Sequence, residues 1–135
     1  MPRRIEVFGS GWYVAPSIVA GIASVLTVAG AVFIVWSQRT LGKQWSFSAR
    51  VVEGHQLITQ GPYGVVRNPI YASLALLLIS LGMTFATPSR VGVALVLYVT
   101  GALMRIRAEE ELMHTTFGDQ WEEYRRRVPA LIPFL

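Results

Sequence analysis

The chain has 135 residues, 53% of them from the apolar set and 15% charged, and its mean hydropathy of +0.45 is too high for an ordinary water-soluble domain of this length. Once spanning helices of about 20 residues are placed, no room is left for a separate soluble catalytic domain, so a site must be built from helix ends and connecting loops. The absence of cysteine excludes disulfides, thiolate zinc sites, iron–sulfur ligation and a cysteine nucleophile. A net charge of +4 with a pI near 10.0 reads as basic flanks around apolar runs rather than a nucleic-acid surface.

The first element is the uncharged run from Trp12 to Trp36, which as a helix reaches ~37 Å against a hydrocarbon core of ~30 Å. It predicts a tilted span over 12–36, with Trp12, Tyr13 and Trp36 at headgroup level and the pairs Ser17/Gly21 and Ala20/Ser24 as a small-residue packing face. Its length and the internal Pro16 argue against a cleaved signal peptide. Residues 37–68 form a long polar connection carrying Arg39, Lys43, Arg50, Glu53, His55 and Arg67, yet it keeps Trp45, Phe47, Val51, Val52, Leu57, Ile58 and Tyr63. That apolar content predicts a loop folded back on the membrane surface.

A second span is expected over 69–86, with Pro69 in its first turn. A third covers 89–108 within one helix of 89–116, the last turns leaving the bilayer as Arg105 and Arg107 snorkel to the interface. Gly118 stops that helix, and Asp119 is placed to cap a short one in which Phe117, Trp121, Tyr124 and Val128 share a side. This interfacial segment, 109–135, carries Arg125, Arg126 and Arg127 toward lipid phosphates.

Nine Lys and Arg residues then lie with the long loop and the C-terminal part, against Arg3, Arg4 and Arg90 on the other side, which orients the loop and C-terminus to the cytoplasm. The expected architecture is an all-α polytopic membrane protein, about three transmembrane helices under a cytoplasmic cap, forming one domain over 1–135.

The chemistry-bearing residues gather at that cap. The loop ends in Gly61-Pro62-Tyr63-Gly64-Val65-Val66-Arg67-Asn68-Pro69-Ile70-Tyr71, and Glu109 and Glu110 reach the same level from the third helix. Fixed charges of both signs inside a hydrophobic rim suit a ligand that is zwitterionic at one end. In the bland reading Arg67 snorkels and the glutamates only pair with Arg105 and Arg107, since i, i+4 pairs are common and worth about a few tenths of a kcal/mol. Against it, these pairs put Arg before Glu and leave acids near a helix C-terminus. Glu111-x-x-His114 has metal-like spacing but lacks the further ligands a di-metal bundle needs, so no metal is expected. His55 reads as a surface-loop histidine, and Gly9-Ser10-Gly11 is not expected to be a phosphate loop, since no strand is expected before it and a lipid-facing helix is expected after it.

The stretch Glu53-Gly54-His55-x-Leu57-x-x-x-Gly61-Pro62-Tyr63-x-x-x-Arg67-Asn68-Pro69-x-Tyr71, followed by Arg105-Ile106-x-x-Glu109-Glu110-x-x-Met113-x-x-x-Phe117-Gly118-x-x-Trp121-x-x-Tyr124, resembles the isoprenylcysteine carboxyl methyltransferase and phospholipid methyltransferase superfamily of integral membrane enzymes. The likeness covers residues 39–133, and it is the two blocks together at this separation that are specific. It implies methyl transfer from S-adenosylmethionine, held at the cytoplasmic face, to a lipophilic or prenylated acceptor drawn from the membrane lipids. Carried over by position, Tyr63, Arg67, Asn68, Tyr71, Glu109 and Glu110 become cofactor-binding residues, with Arg67 and Glu110 the catalytic pair. Where the family often has histidine this chain has Asn68, which hydrogen-bonds but cannot become cationic near neutral pH.

For such a reaction alignment and electrostatics suffice, and no protein nucleophile is needed. Arg67 is expected to grip the cofactor carboxylate with two prongs, a glutamate to accept from ribose or amino groups, and Tyr63, Tyr71 or Trp121 to stack on adenine. The chain is shorter than better-known members, which implies a smaller substrate tunnel or a homodimer that completes it. A phospholipid N-methyltransferase, an NADPH-using sterol-reductase-like protein and a structural membrane protein are the competing readings, and no nucleic-acid partner is expected.

Overall fold

The computed structural model describes residues 5–7, 12–14, 16–44 and 54–133. Arg3, Arg4, the Gly9-Ser10-Gly11 stretch, and Trp45, Phe47, Arg50, Val51, Val52 and Glu53 of the long loop lie outside the described residues. Two three-residue strands, β1 (Ile5–Val7) and β2 (Trp12–Val14), form an antiparallel ribbon with Glu6 opposite Tyr13. Helices follow: α1 (Pro16–Leu41), α2 (Pro69–Phe85), α3 (Pro88–Phe117) and α4 (Asp119–Arg127). Short 3-10 turns occupy Gly42–Gln44 and Gly61–Gly64. The protein is an all-helical membrane fold apart from the terminal ribbon.

Three boundaries depart from expectation. Trp12 and Tyr13 lie in extended backbone and not in the first helix, because a proline such as Pro16 suits only the first turn of a helix. Helix α1 continues past Trp36 to Leu41, so the loop expected from residue 37 begins later. Asp119 is the first residue of α4 and not its cap, which is Gly118 with no side-chain cap bond. Helices α2 and α3, by contrast, start at Pro69 and Pro88 as prolines in a first turn do.

Two helical stretches, Pro16–Gln44 and Pro88–Phe117, are long and apolar enough to cross a membrane, and α2 is a shorter apolar helix of 17 residues. Along α1 the side chains of Ile18, Val25, Val28 and Val32 stand 56–68% exposed, an apolar surface too large for water and suited to lipid. Hydroxyls on these helices turn back on their own carbonyls, as Ser24 Oγ does to Ala20 O (2.8 Å) and Thr100 Oγ1 to Val96 O (2.8 Å), which satisfies them without water.

The α1–α2 interface is the most extensive of the fold. The α1 residues buried in it are Ala23, Gly30 and Ser37, one every second turn. The small-residue pairs expected to pack, Ser17/Gly21 and Ala20/Ser24, face outward instead. At Gly30 a Cβ would sit 3.1 Å from Leu77 and 3.2 Å from the Ser73 carbonyl oxygen, so the helices approach closely only because no side chain is there. Beside it Ser80 Oγ donates to Ala23 O (2.8 Å) and meets Thr27 Oγ1. Helix α3 returns antiparallel beside α2, while α1 and α3 scarcely touch among the described residues.

The aromatic core lies at one end, outside the apolar spans. Trp121, Tyr124 and Val128 of α4 pack against Leu57, Met113 and Phe117, the face expected from their spacing. Gly118, at φ 52° and ψ −121°, supplies the break that lets α4 fold back beneath α3, a backbone state that side-chain-bearing residues rarely adopt.

Candidate active site

A cavity of about 540 Å³ opens where α1, α2, α3, α4 and the 55–71 segment meet, within the range of small-molecule sites. Its apolar wall includes Ile34, Leu41, Leu74, Leu112 and Met113, and its polar end gathers Arg67, Asn68, Tyr71, Arg105, Glu109 and Glu110. All six residues expected at the site, Tyr63, Arg67, Asn68, Tyr71, Glu109 and Glu110, therefore line one space. They come from segments forty residues apart because α3 overruns α2, carrying Glu109 and Glu110 level with the mouth of α2.

The two glutamates have different partners. Glu109 Oε1 accepts from Tyr71 Oη at 2.9 Å and from Arg105 Nε at 3.1 Å, the latter being the local i, i+4 pair of the bland reading. Glu110 crosses to the loop, where Arg67 Nε donates to Oε1 at 2.9 Å and Nη2 to Oε2 at 3.4 Å. Asn68 Nδ2 donates to the same Oε1 at 3.3 Å. The Arg67 and Glu110 side chains retain only 10% and 18% of their exposure, so the bond is screened little by solvent. The two prongs of Arg67 expected to hold a cofactor carboxylate thus hold a carboxylate of the protein itself.

Tyr63 is buried on the cavity wall, and its carbonyl accepts from Tyr124 Oη at 2.7 Å. Burial pushes both phenols well above their ordinary value, with the neighbouring Glu109 adding to the shift at Tyr63 and Arg67 partly opposing it at Tyr124; both are neutral hydrogen-bonding groups at any physiological pH. Trp121 stands edge-on to Tyr124 (5.5 Å between centroids), with the Arg67 guanidinium 6.0 Å from its ring.

Several contributors have no sequence signal. Gln44 and Gln56 clasp across the loop, Gln44 Nε2 donating to Gln56 O at 3.1 Å and Gln56 N to Gln44 Oε1 at 2.6 Å, and both line the cavity. Tyr98 Oη donates to Tyr71 O at 2.7 Å, fixing α3 to α2 at the level of the site. His55, named in the sequence and expected as a surface-loop residue, also lines the cavity. No group of three or more His, Asp or Glu able to hold a metal occurs among the described residues.

The model of the family described as phospholipid methyltransferase matches residues 17–120. The chain belongs to the phospholipid methyltransferase family. Among curated relatives, protein-S-isoprenylcysteine O-methyltransferase B of Arabidopsis thaliana is 33% identical over 62% of this chain and 42% of its own. The cobalt-zinc-cadmium resistance protein CzcN of Cupriavidus metallidurans is 34% identical over 73% of this chain and 46% of its own. The solved eukaryotic intramembrane Ras methyltransferase ICMT superposes with a TM-score of 0.82 at 23% identity, covering 89% of this chain and 44% of that one. That likeness establishes the shared fold. The chain spans under half the length of these relatives.

Proposed function

We propose that the protein is an S-adenosylmethionine-dependent membrane methyltransferase acting on a lipophilic acceptor, of which the prenylated cysteine carboxylate is the best supported. The observation that carries this reading is the cavity, whose polar end sets Tyr71, Glu109 and Arg105 beside a long apolar wall. The donor set fits the cofactor: a carboxylate and a guanidinium match its zwitterionic end, Tyr63 and Trp121 offer aromatic faces to adenine, and the amides of Gln44 and Gln56 offer polar edges to a ribose. When bound, S-adenosylmethionine supplies a sulfonium-activated methyl group.

The chain's own residues then have to orient two ligands and keep water out. Glu109, fixed by Tyr71 and Arg105, is a preformed acceptor whose orientation costs little reorganisation. The wall of Ile34, Leu41, Leu74, Leu112 and Met113 excludes water from the reacting atoms. Arg67 and Arg105 already engage the two glutamates, so neither offers an unengaged carboxylate to take a proton from an amine. A carboxylate acceptor needs no such base, which favours O-methylation over phospholipid N-methylation. By the excess of Lys and Arg on its side, the site faces the cytoplasm.

The test is calorimetric titration of S-adenosylhomocysteine into protein in nanodiscs, with Glu109→Ala as the control. Saturable binding in the parent, weakened by at least ~10-fold in the variant, is expected for the loss of a charge-assisted contact. A folded parent that binds NADPH and not S-adenosylhomocysteine reverses the reading in favour of a reductase, and one that binds neither favours a structural role.

A further inference from the structure

The Arg67 side chain is engaged along both of its edges. A guanidinium presents five N–H donors along two usable edges. The edge formed by Nε and Nη2 faces Glu110. Nη1 donates twice, to Arg125 O at 3.1 Å and to Val128 O at 2.6 Å. No edge remains for a second two-pronged partner.

The two carbonyls belong to the end of α4, which closes at its C-cap Val128. The last carbonyls of a helix have no partner within it and carry the negative end of its dipole. Arg67 therefore caps α4 with a positive charge from a distant loop. The backbone continues the same join, with Arg67 N donating to Pro129 O at 2.8 Å and Asn68 N to Ala130 O at 3.0 Å. Asn68 Nδ2 adds a bond to Ala130 O at 3.2 Å besides the one to Glu110. The same helix carries Trp121 and Tyr124, which line the cavity.

We propose that Arg67 and Asn68 are positioning residues: they clasp the 125–130 segment to the mouth of α2 and to Glu110, and thereby hold the α4 wall of the cavity in place, without themselves gripping the cofactor. The proposal rests on the methyltransferase reading for the cofactor, and on geometry alone for the clasp.

Arg67→Lys tests it, since an ammonium keeps the charge beside Glu110 but cannot span a carboxylate and two carbonyls at once. In detergent or nanodiscs, hydrogen exchange of the α4 amides should accelerate by about tenfold or more, as local opening becomes easier. S-adenosylhomocysteine affinity should fall by a similar factor, and saturating ligand should restore part of the protection. In turnover, KM for the methyl donor should rise about tenfold while kcat at saturating donor stays within about threefold, the pattern for lost uniform binding. Asn68→Ala, which leaves the guanidinium in place, should show the same effects at about two- to fivefold and serves if the lysine variant does not fold.

Weakened ligand binding with unchanged exchange in α4, or a collapse of kcat at saturation, would make Arg67 a direct ligand and overturn the proposal. Faster exchange with unchanged affinity overturns it too, by separating the clasp from the pocket. A parent protein that binds no S-adenosylhomocysteine refutes the methyltransferase reading instead, and the exchange comparison still decides whether the clasp exists.

Discussion

Tyr124 shows how much a single side chain contributes at this site. Its hydroxyl is buried and donates to the Tyr63 carbonyl, so Tyr124→Phe removes one hydrogen bond and strands a buried acceptor, at a cost of about 1–3 kcal/mol. Thermal unfolding in detergent should register that loss. The titration of the two phenols gives a second expectation. Burial raises both above the ordinary value of 10.0, so the folded state holds their protons more tightly than the unfolded one. Their contribution is complete below pH ~10 and is lost as pH rises through the folded values. Unfolding monitored above pH ~10 should show stability falling, and Tyr124→Phe should make that fall shallower. His55 separates the acceptor classes: it lines the cavity, and an imidazole is the side chain most often used as a general base. If the acceptor is a carboxylate, His55→Gln should change kcat for O-methylation by less than about threefold, whereas an amine acceptor relying on it would lose ~10²-fold or more. Product formation with a prenylcysteine analogue and with a phosphoethanolamine lipid decides between them.

At the scale of elements, the fold depends on how closely α1 and α2 approach. The Ala23, Gly30 and Ser37 seam was not legible in the sequence, because α1 has several small-residue faces of similar quality and only the position of α2 selects one. Gly30→Val should cost about 1–3 kcal/mol by forcing its branches against Leu77 and the Ser73 carbonyl, whereas Gly21→Val, which meets open space, should be nearly neutral in the same thermal assay. The start of α1 was misread for a related reason. Hydropathy runs uninterrupted through Trp12, and it is the backbone restriction imposed by Pro16 that begins the helix. The starts of α2 and α3 were legible from the same rule, since there proline and the change in hydropathy coincide.

For the whole molecule, the arrangement of charge predicts an orientation. The absence of cysteine allows single-cysteine labelling without background. In intact bacterial cells, Ser89→Cys in the first turn of α3 should react with an impermeant maleimide, and Gln120→Cys on α4 should react only after permeabilisation. The reverse pattern would place the cavity outside. Amino-acid pattern alone determined the helical membrane class, the approximate extents of α2 and α3, the buried face of α4 and the gathering of Arg67, Asn68, Tyr71, Glu109 and Glu110 at the helix ends, because hydropathy period, proline placement and motif spacing are local properties of the chain. Tertiary structure decided which partner each charged group takes. Glu109 could be read as a neighbour of Arg105, and so it is, but Glu110 turns to Arg67, and Arg67 turns to the end of α4. Pairings between segments depend on the overrun of α3 past α2 and on the fold-back at Gly118, distances that exist only once the helices have packed.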